Sequence, residues 1–493
     1  MDLPRYPSLF QLNTRVRLTA LSHDLGRVAT LNDLPDADLD RLAEQGFDLV
    51  WLLGVWQTGA AGRRVSAAND AALEEYRAML PDFTDDDVSG SPFAVHEYRV
   101  SAEFGGDAAL ERLRERLAQR HMRLMLDFVP NHVAPDHPWV DEHPEYFIEG
   151  TEELLAEQPW NWTRIQTTDG PRILAHGRDP YFAGWADTLQ LNYGNARLRD
   201  GMVAELRRIS RQCDALRCDM AMLVLPDVFW RTWGISSEPF WPRAIDEVRS
   251  VSPGFLFMAE VYWDLEWELQ QQGFDYAYDK RLYDRLREGH AGAVRDHLSA
   301  GLDYQDRLAR FLENHDEPRA AATFELEQHR AAAVITYLTP GLRFFHQGQL
   351  QGNRVHIPMH LRRGPVEAAN PLLEDFYDSL LGCLRQPTFR QGEWRLLEAL
   401  PAWDGNPTND DFICFAWTGA TGSRALVAVN YSGQRSQCVL PAPWPGLSGR
   451  AVVLRDVLGE DVFERDGSEL LEVGLFLELE PFAYHVFEVE PAA

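Results

Sequence analysis

The chain has 493 residues, 45% of them hydrophobic and 25% charged, which is the balance of a folded globular protein and argues against disordered, fibrous or disulfide-stapled classes. Its net charge of −29 lacks the basic footprint that nucleic acid requires, so the expected ligand is neutral. No run of about 18 apolar residues predicts a membrane span, and the first residues lack a basic segment followed by an apolar one. Five irregularly spaced cysteines without a CxxC pair point to free thiols in a reducing compartment, hence a cytoplasmic protein. Lys280 is the only lysine, which argues against Schiff-base chemistry.

In chain order, short apolar runs alternate with helical patterns for about three-quarters of the length. Strands are predicted near Phe10–Leu18, Leu49–Leu53, Arg123–Val129, Ala215–Met220, Phe255–Val261, Tyr276, Leu308–Leu312 and Leu342–Phe345. Several are continuously apolar, as parallel strands covered on both faces must be. Between them, Asp36–Gly46 and Asp107–Arg120 carry apolar residues at helical spacing, as do Met202, Val203, Leu206 and Ile209. The pattern is α/β and predicts a (β/α)8 TIM barrel over 1–132 and 194–393. Residues 133–193, rich in Pro, Trp and Asp and without sustained period, are expected to form an inserted loop-rich subdomain after the third strand. From 394 to 493, alternating runs separated by turn residues predict a C-terminal antiparallel β-sandwich.

Three acids fall at or just past predicted strand ends: Asp219 in ALRCDMAML, Glu260 in FLFMAEVYW and Asp316 in RFLENHDEPR. In a barrel those ends converge on the face where active sites are built. A carboxylate among Met, Phe and Val is costly unless paired or used. Any one of them alone fits a salt bridge or a helix cap. Arg217, two residues before Asp219, shares its side of a strand and can hold it ionised. Glu260, in an apolar setting, is expected to stay protonated. His315 and the Asn131–His132 pair add uncharged donors suited to sugar hydroxyls.

Four segments in fixed order, DFVPNH (Asp127–His132), LRCDMAML (Leu216–Leu223), MAEVYW (Met258–Trp263) and FLENHD (Phe311–Asp316), resemble the conserved regions of the α-amylase family of glycoside hydrolases and transglycosylases. The resemblance extends to SPFAVHEYRVSAEFGG, to the insertion and to the C-terminal region. It implies that Asp219 is the nucleophile, Glu260 the acid and then the base, and Asp316 a transition-state stabiliser. Arg217, His132 and His315 would line the glycosyl subsite, Phe93 would form its aromatic floor, and Asp127 would be mainly structural. The implied activity is that of a retaining α-glycosidase on oligosaccharides or small glucosides, with carboxyl groups ~5–5.5 Å apart. The alternative is a transglycosylase passing the same intermediate to a sugar or phosphate acceptor.

Met222 and Leu223 stand where relatives acting on long α-glucans carry Lys-His, which argues against endo-hydrolysis of starch and against a structural calcium. No cofactor is expected. The spacing of His132, His137 and His143 argues against a metal cluster. Most of the tryptophans belong to core, with those near the insertion and Trp263 candidates for sugar stacking. Asp85–Asp87 is read as a solvated turn.

Overall fold

Every residue of Leu49–Leu53 is buried, which requires cover on both faces of the strand. The computed structural model, which describes residues 3–492, supplies it. Eight parallel strands close into a barrel: β1 (Ser8–Asn13), β2 (Leu49–Leu53), β3 (Arg123–Phe128), β4 (Ala215–Cys218), β5 (Leu256–Ala259), β6 (Tyr276–Tyr278), β7 (Leu308–Arg310) and β8 (Leu342–His346). Each pairs with its sequence neighbour, and β8 closes on β1. The helix Gly106–Ala118 turns Ala109, Leu110, Leu113 and Leu117 inward, the spacing that predicted it.

The first strand departs from expectation. It ends at Asn13, and Thr14–Leu25 is a helix. Asn13 caps this helix, its side chain accepting from the Val16 N–H, while Leu18 and Leu21 turn into the core. Apolar residues in Arg15–Leu18 imitate strand alternation, but the cap decides the matter. Asp85–Asp87 is also more than a solvated turn. Asp87 is buried and accepts two bonds from Arg363, at 2.6 and 2.9 Å, tying this segment to the loop after β8.

Between β3 and the helix Ala196–Ile209, the chain is less irregular than its composition suggests. It forms a hairpin, Trp162–Thr167 with Gly170–Ala175, and a short ladder of His132–Val133 with Leu189–Gln190. That ladder anchors the excursion beside the C-terminal end of β3.

The C-terminal region holds two antiparallel sheets. The larger has the order Glu393–Leu397, Phe412–Thr418, Arg424–Asn430, Tyr484–Pro491, Ala451–Asp456, Val462–Asp466; the smaller comprises Leu400–Pro401, Ser436–Leu440 and Leu475–Leu479. Strand period two explains how the larger sheet serves both neighbours. Phe412, Cys414 and Ala416 join the sandwich core, whereas Ile413, Phe415 and Trp417 join the barrel's. Trp417 is fully buried, packs edge-on against Tyr6 at 5.2 Å, and donates its indole N–H to the Leu338 carbonyl at 2.8 Å. We expect Trp417→Ala to cost about 3–5 kcal/mol, seen as a lower denaturation midpoint. Trp417→Phe should recover more than half of the loss, since it keeps most of the buried area.

Candidate active site

Parallel pairing places the key side chains before any chemistry is invoked. Arg217 on β4 lies in register with Asp127 on β3, so both side chains point to the same side of the sheet. The ladder continues one residue past the strand ends: the Asp219 N–H donates to the Phe128 carbonyl at 2.8 Å, and the Glu260 N–H to the Cys218 carbonyl at 3.0 Å. Both acids are therefore fixed just past the ends of adjacent strands, at the same rim.

Arg217 is fully buried and joins them. Its Nη1 lies 2.5 Å from Asp219 Oδ1 and its Nη2 lies 2.7 Å from Glu260 Oε2. The guanidinium sits 5.1 Å from the ring centre of Phe93, and its Nε donates to the Tyr278 hydroxyl at 3.3 Å. Sequence reasoning paired Arg217 with Asp219 alone and left Glu260 in apolar surroundings. The structure gives Glu260 the same cation, yet burial still dominates, pushing its carboxyl up to about 8 against the pull of Arg217, with Asp219 and Asp316 adding repulsion. Oε2 also accepts the Met220 N–H at 2.7 Å, and Oε1 faces the Tyr262 hydroxyl at 2.9 Å. With Oε2 bonded by the Met220 N–H and close to the Arg217 cation, a proton on this acid belongs on Oε1.

Met220 makes that contact from a left-handed conformation, φ 41°. Such a backbone costs a non-glycine residue roughly 1–3 kcal/mol. It reverses the chain directly after Asp219 and aims the N–H at the neighbouring acid.

The remaining predicted residues gather around this pair. Phe93 and His315 pack with ring centres 5.4 Å apart, and His315 Nε2 lies 3.2 Å from Asp316 Oδ2. Asp316 stands six residues beyond β7 with its side chain 28% accessible, and burial opposed by Arg217 raises its carboxyl. His315 receives a bond from Gln11 Nε2 on its Nδ1 at 2.9 Å. Burial holds both His132 and His315 below the usual imidazole range, so each is neutral near pH 7. The His132 ring packs on Trp185 at 5.2 Å. Asp127 accepts from the Trp51 indole at 2.9 Å and from the Gly54 N–H at 2.7 Å, a bracing role behind Arg217. Met222 and Leu223 are buried and bring no polar group to the rim.

Beside His315 opens a cavity of about 540 Å³ whose wall includes Asn353, His356, Arg319 and His346. His346 Nδ1 and Arg319 Nε are buried there without hydrogen-bond partners. The histidines grouped with His132 by spacing go elsewhere, His137 to Trp139 and His143 to Tyr146. Among the described residues, the group whose ligand atoms converge within 4.8 Å is Asp456, Asp461 and His485, in the C-terminal region.

Tyr262, Tyr278 and Gln11 were missed in the sequence. Tyr262 is two residues after Glu260, a spacing that signals a shared side of the chain. Tyr278 lies in the weakest strand, and only barrel closure brings Gln11 to His315.

Comparison with known proteins bears on the family and the fold. The model of the α-amylase catalytic domain matches residues 39–282. Alpha-amylase MalA of Haloarcula japonica is 24% identical over 418 residues, covering 83% of this chain and 53% of the relative. The probable oligo-1,6-glucosidase 3 of Bacillus subtilis is 21% identical over 72% of this chain and 65% of the relative. The chain spans about half the length of the first curated relatives it matches. An α-amylase from Lactobacillus plantarum shares the fold, with TM-score 0.68 and 20% identity over 98% of this chain and 99% of that one. The chain belongs to the α-amylase family of glycoside hydrolases and transglycosylases.

The position of Glu260 sets a measurable stability term. Its folded pKa of about 8 lies above the ordinary value of 4.5, so its contribution is complete below pH 4.5 and is lost as pH rises through 8. Glu260→Gln removes that titration. The urea midpoint of the variant should therefore fall less steeply than that of the native chain between pH 5 and 8.

Proposed function

We propose that this chain is a retaining α-glycosidase that hydrolyses α-glucosidic bonds in oligosaccharides or small glucosides through a covalent glycosyl-enzyme. The observation that carries the reading is one buried guanidinium shared by two carboxyl groups, of which Glu260 is biased toward its protonated form. A retaining mechanism needs such a division of labour.

In the first half-reaction, Asp219 attacks the anomeric carbon. Its Oδ1 is engaged with Arg217, which leaves Oδ2 for the new bond. The glycosidic bond breaks as the Glu260 Oε1 proton passes to the leaving oxygen. In the second half-reaction, Glu260, now a carboxylate, takes a proton from water. The hydroxide equivalent then attacks the same carbon and Asp219 departs. Two inversions give retention. Asp316 would stabilise the oxocarbenium-like transition state, and the neutral His132 and His315 would hold hydroxyl groups over Phe93. The cavity beside His315 carries Asn353 and His356 on its wall beside the charged Arg319, polar groups that suit the hydroxyl-rich remainder of the sugar.

Protein carboxyl groups and water supply every proton in this scheme, so it calls for no cofactor, and a structural calcium has no part in it. The net charge of −29 favours an uncharged substrate over nucleic acid. Five buried free cysteines support a cytoplasmic setting. Among the described residues no helix is long and apolar enough to cross a membrane.

A screen of α-linked disaccharides and maltooligosaccharides tests the proposal, with NMR reading the anomer released first. The α-anomer is expected, and release of the β-anomer would overturn the assignment of Asp219. Asp219→Asn and Glu260→Gln should each lower kcat/KM on the best disaccharide by about 10²–10⁴-fold. The acid must be protonated to act, so kcat/KM should fall above about pH 8. With α-glucosyl fluoride, whose leaving group needs no proton, that alkaline limb should be absent.

A further inference from the structure

Arg15 lies in the helix that follows β1 and is only 7% accessible, yet among the described residues no carboxylate stands within ion-pair distance of it. A guanidinium so placed is costly unless it is neutralised. Arg217, Arg310 and Arg319, also buried, each hold a carboxylate oxygen at 2.5 Å. Arg343 lacks one too, but its Nε, Nη1 and Nη2 all donate to backbone carbonyls. Arg15 gives Nη1 to the Ser89 hydroxyl and the Gly90 carbonyl, at 3.1 and 2.5 Å, and Nη2 to the Thr58 hydroxyl at 3.2 Å. That leaves the Nε–H and one Nη2–H. The edge formed by these two nitrogens is one with which a guanidinium meets an oxyanion through two parallel bonds.

The same residue lines a cavity of about 180 Å³, set between its own helix, the chain around Trp56 and Thr58, and Arg362 from the loop after β8. Arg362 Nε is buried there without a hydrogen-bond partner, while its Nη1 donates to Glu103 at 2.8 Å. Two guanidinium groups against one carboxylate make this wall net positive, in a chain whose total is −29. Burial pulls the Arg15 guanidinium down to about 10 in spite of Glu103, and Arg362 adds repulsion. The hydroxyls of Thr19 and Ser101 also line the cavity. Exposed Val28 and Glu103 stand where it meets solvent, so a small ion has a way in.

We propose that this cavity is a binding site for a small oxyanion, namely a phosphate group, either free or at the end of a small ester. The free edge of Arg15 takes two of its oxygens, Arg362 supplies the second cation, and the Thr19 and Ser101 hydroxyls donate to the rest. A planar fork with hydroxyls around it suits several oxygens better than a single point charge. The site is separate from the three acids and does not depend on the glycosidase reading.

Its neighbours give an occupied site structural reach. Trp56, on the same wall, donates its indole N–H to the Asp127 carbonyl at 2.7 Å, directly behind the residue that braces Arg217. A bound anion ties the helix after β1, the segment after β2 and the loop after β8 to one another, because each contributes a wall residue.

Calorimetric titration with sodium phosphate, at constant ionic strength, tests the proposal on the native chain, Arg15→Gln and Glu103→Gln. The native chain should bind one phosphate saturably. Arg15→Gln should weaken binding by about 10-fold or more, the loss of charge-assisted bonds. Glu103→Gln removes the one carboxylate from the wall and should tighten binding about 3-fold or more. Glu103 is exposed, so this gain can be read whether or not Arg15→Gln folds. Glycerol 3-phosphate then replaces phosphate. Equal affinity assigns the site to the bare phosphate group, and tighter binding that is lost in Arg15→Gln assigns it to an ester. Absence of saturable binding up to about 20 mM phosphate overturns the site. So does an affinity unchanged in a folded Arg15→Gln, or one that fails to rise in Glu103→Gln. Displacement of phosphate by an equal concentration of chloride overturns the choice of an oxyanion.

Discussion

One buried cation organises the rim of the barrel. Arg217 has no access to solvent, and a guanidinium there must be neutralised to be tolerated. The barrel does so with Asp219 and Glu260 at contact distance and with Asp127 one strand away. The aromatic rings of Trp51, Phe93 and Tyr278 surround the cation within 6 Å of its centre. Three acids and one base leave the cluster short of positive charge. The excess negative charge is costly in so dry a place, and burial with the neighbouring acids pushes the Glu260 carboxyl up. Burial supplies that asymmetry and Arg217 limits it.

The fold provides the setting by simple repetition. Parallel strands bring backbone atoms of neighbours into register, and consecutive strand ends then deliver one acid each to a common rim. Neither Asp219 nor Glu260 lies within a strand. Each follows its last residue by one, where the ladder still holds the backbone but the loop is free to choose its direction. Met220 uses that freedom in a conformation that only a well-supported loop sustains.

The appended sheets are part of the same packing problem. Strand Phe412–Thr418 is buried on both faces because its alternate residues serve two cores. The larger sheet is therefore structurally continuous with the barrel, through Trp417 and Tyr6, far from the rim where the acids lie. The excursion after β3 is pinned in a different way, through a two-residue ladder at His132. That attachment brings Trp185 against His132.

Much of this was legible in the sequence. Continuous apolar runs specify doubly covered strands whatever their partners, and an Arg two residues before an Asp shares its side of any strand. The order of the four motifs carried the family resemblance, and with it Asp219, Glu260 and Asp316. Local signals failed where they compete: the alternation of Arg15–Leu18 yielded to the Asn13 cap, and Asp87 found Arg363 more than 270 residues away. The second partner of Arg217 and the Gln11 contact depend on the closure of the ring. Residue type and spacing set what each segment can be, because backbone geometry is local. Which charges share a cation is decided by distance in space, and that exists only once the barrel has closed.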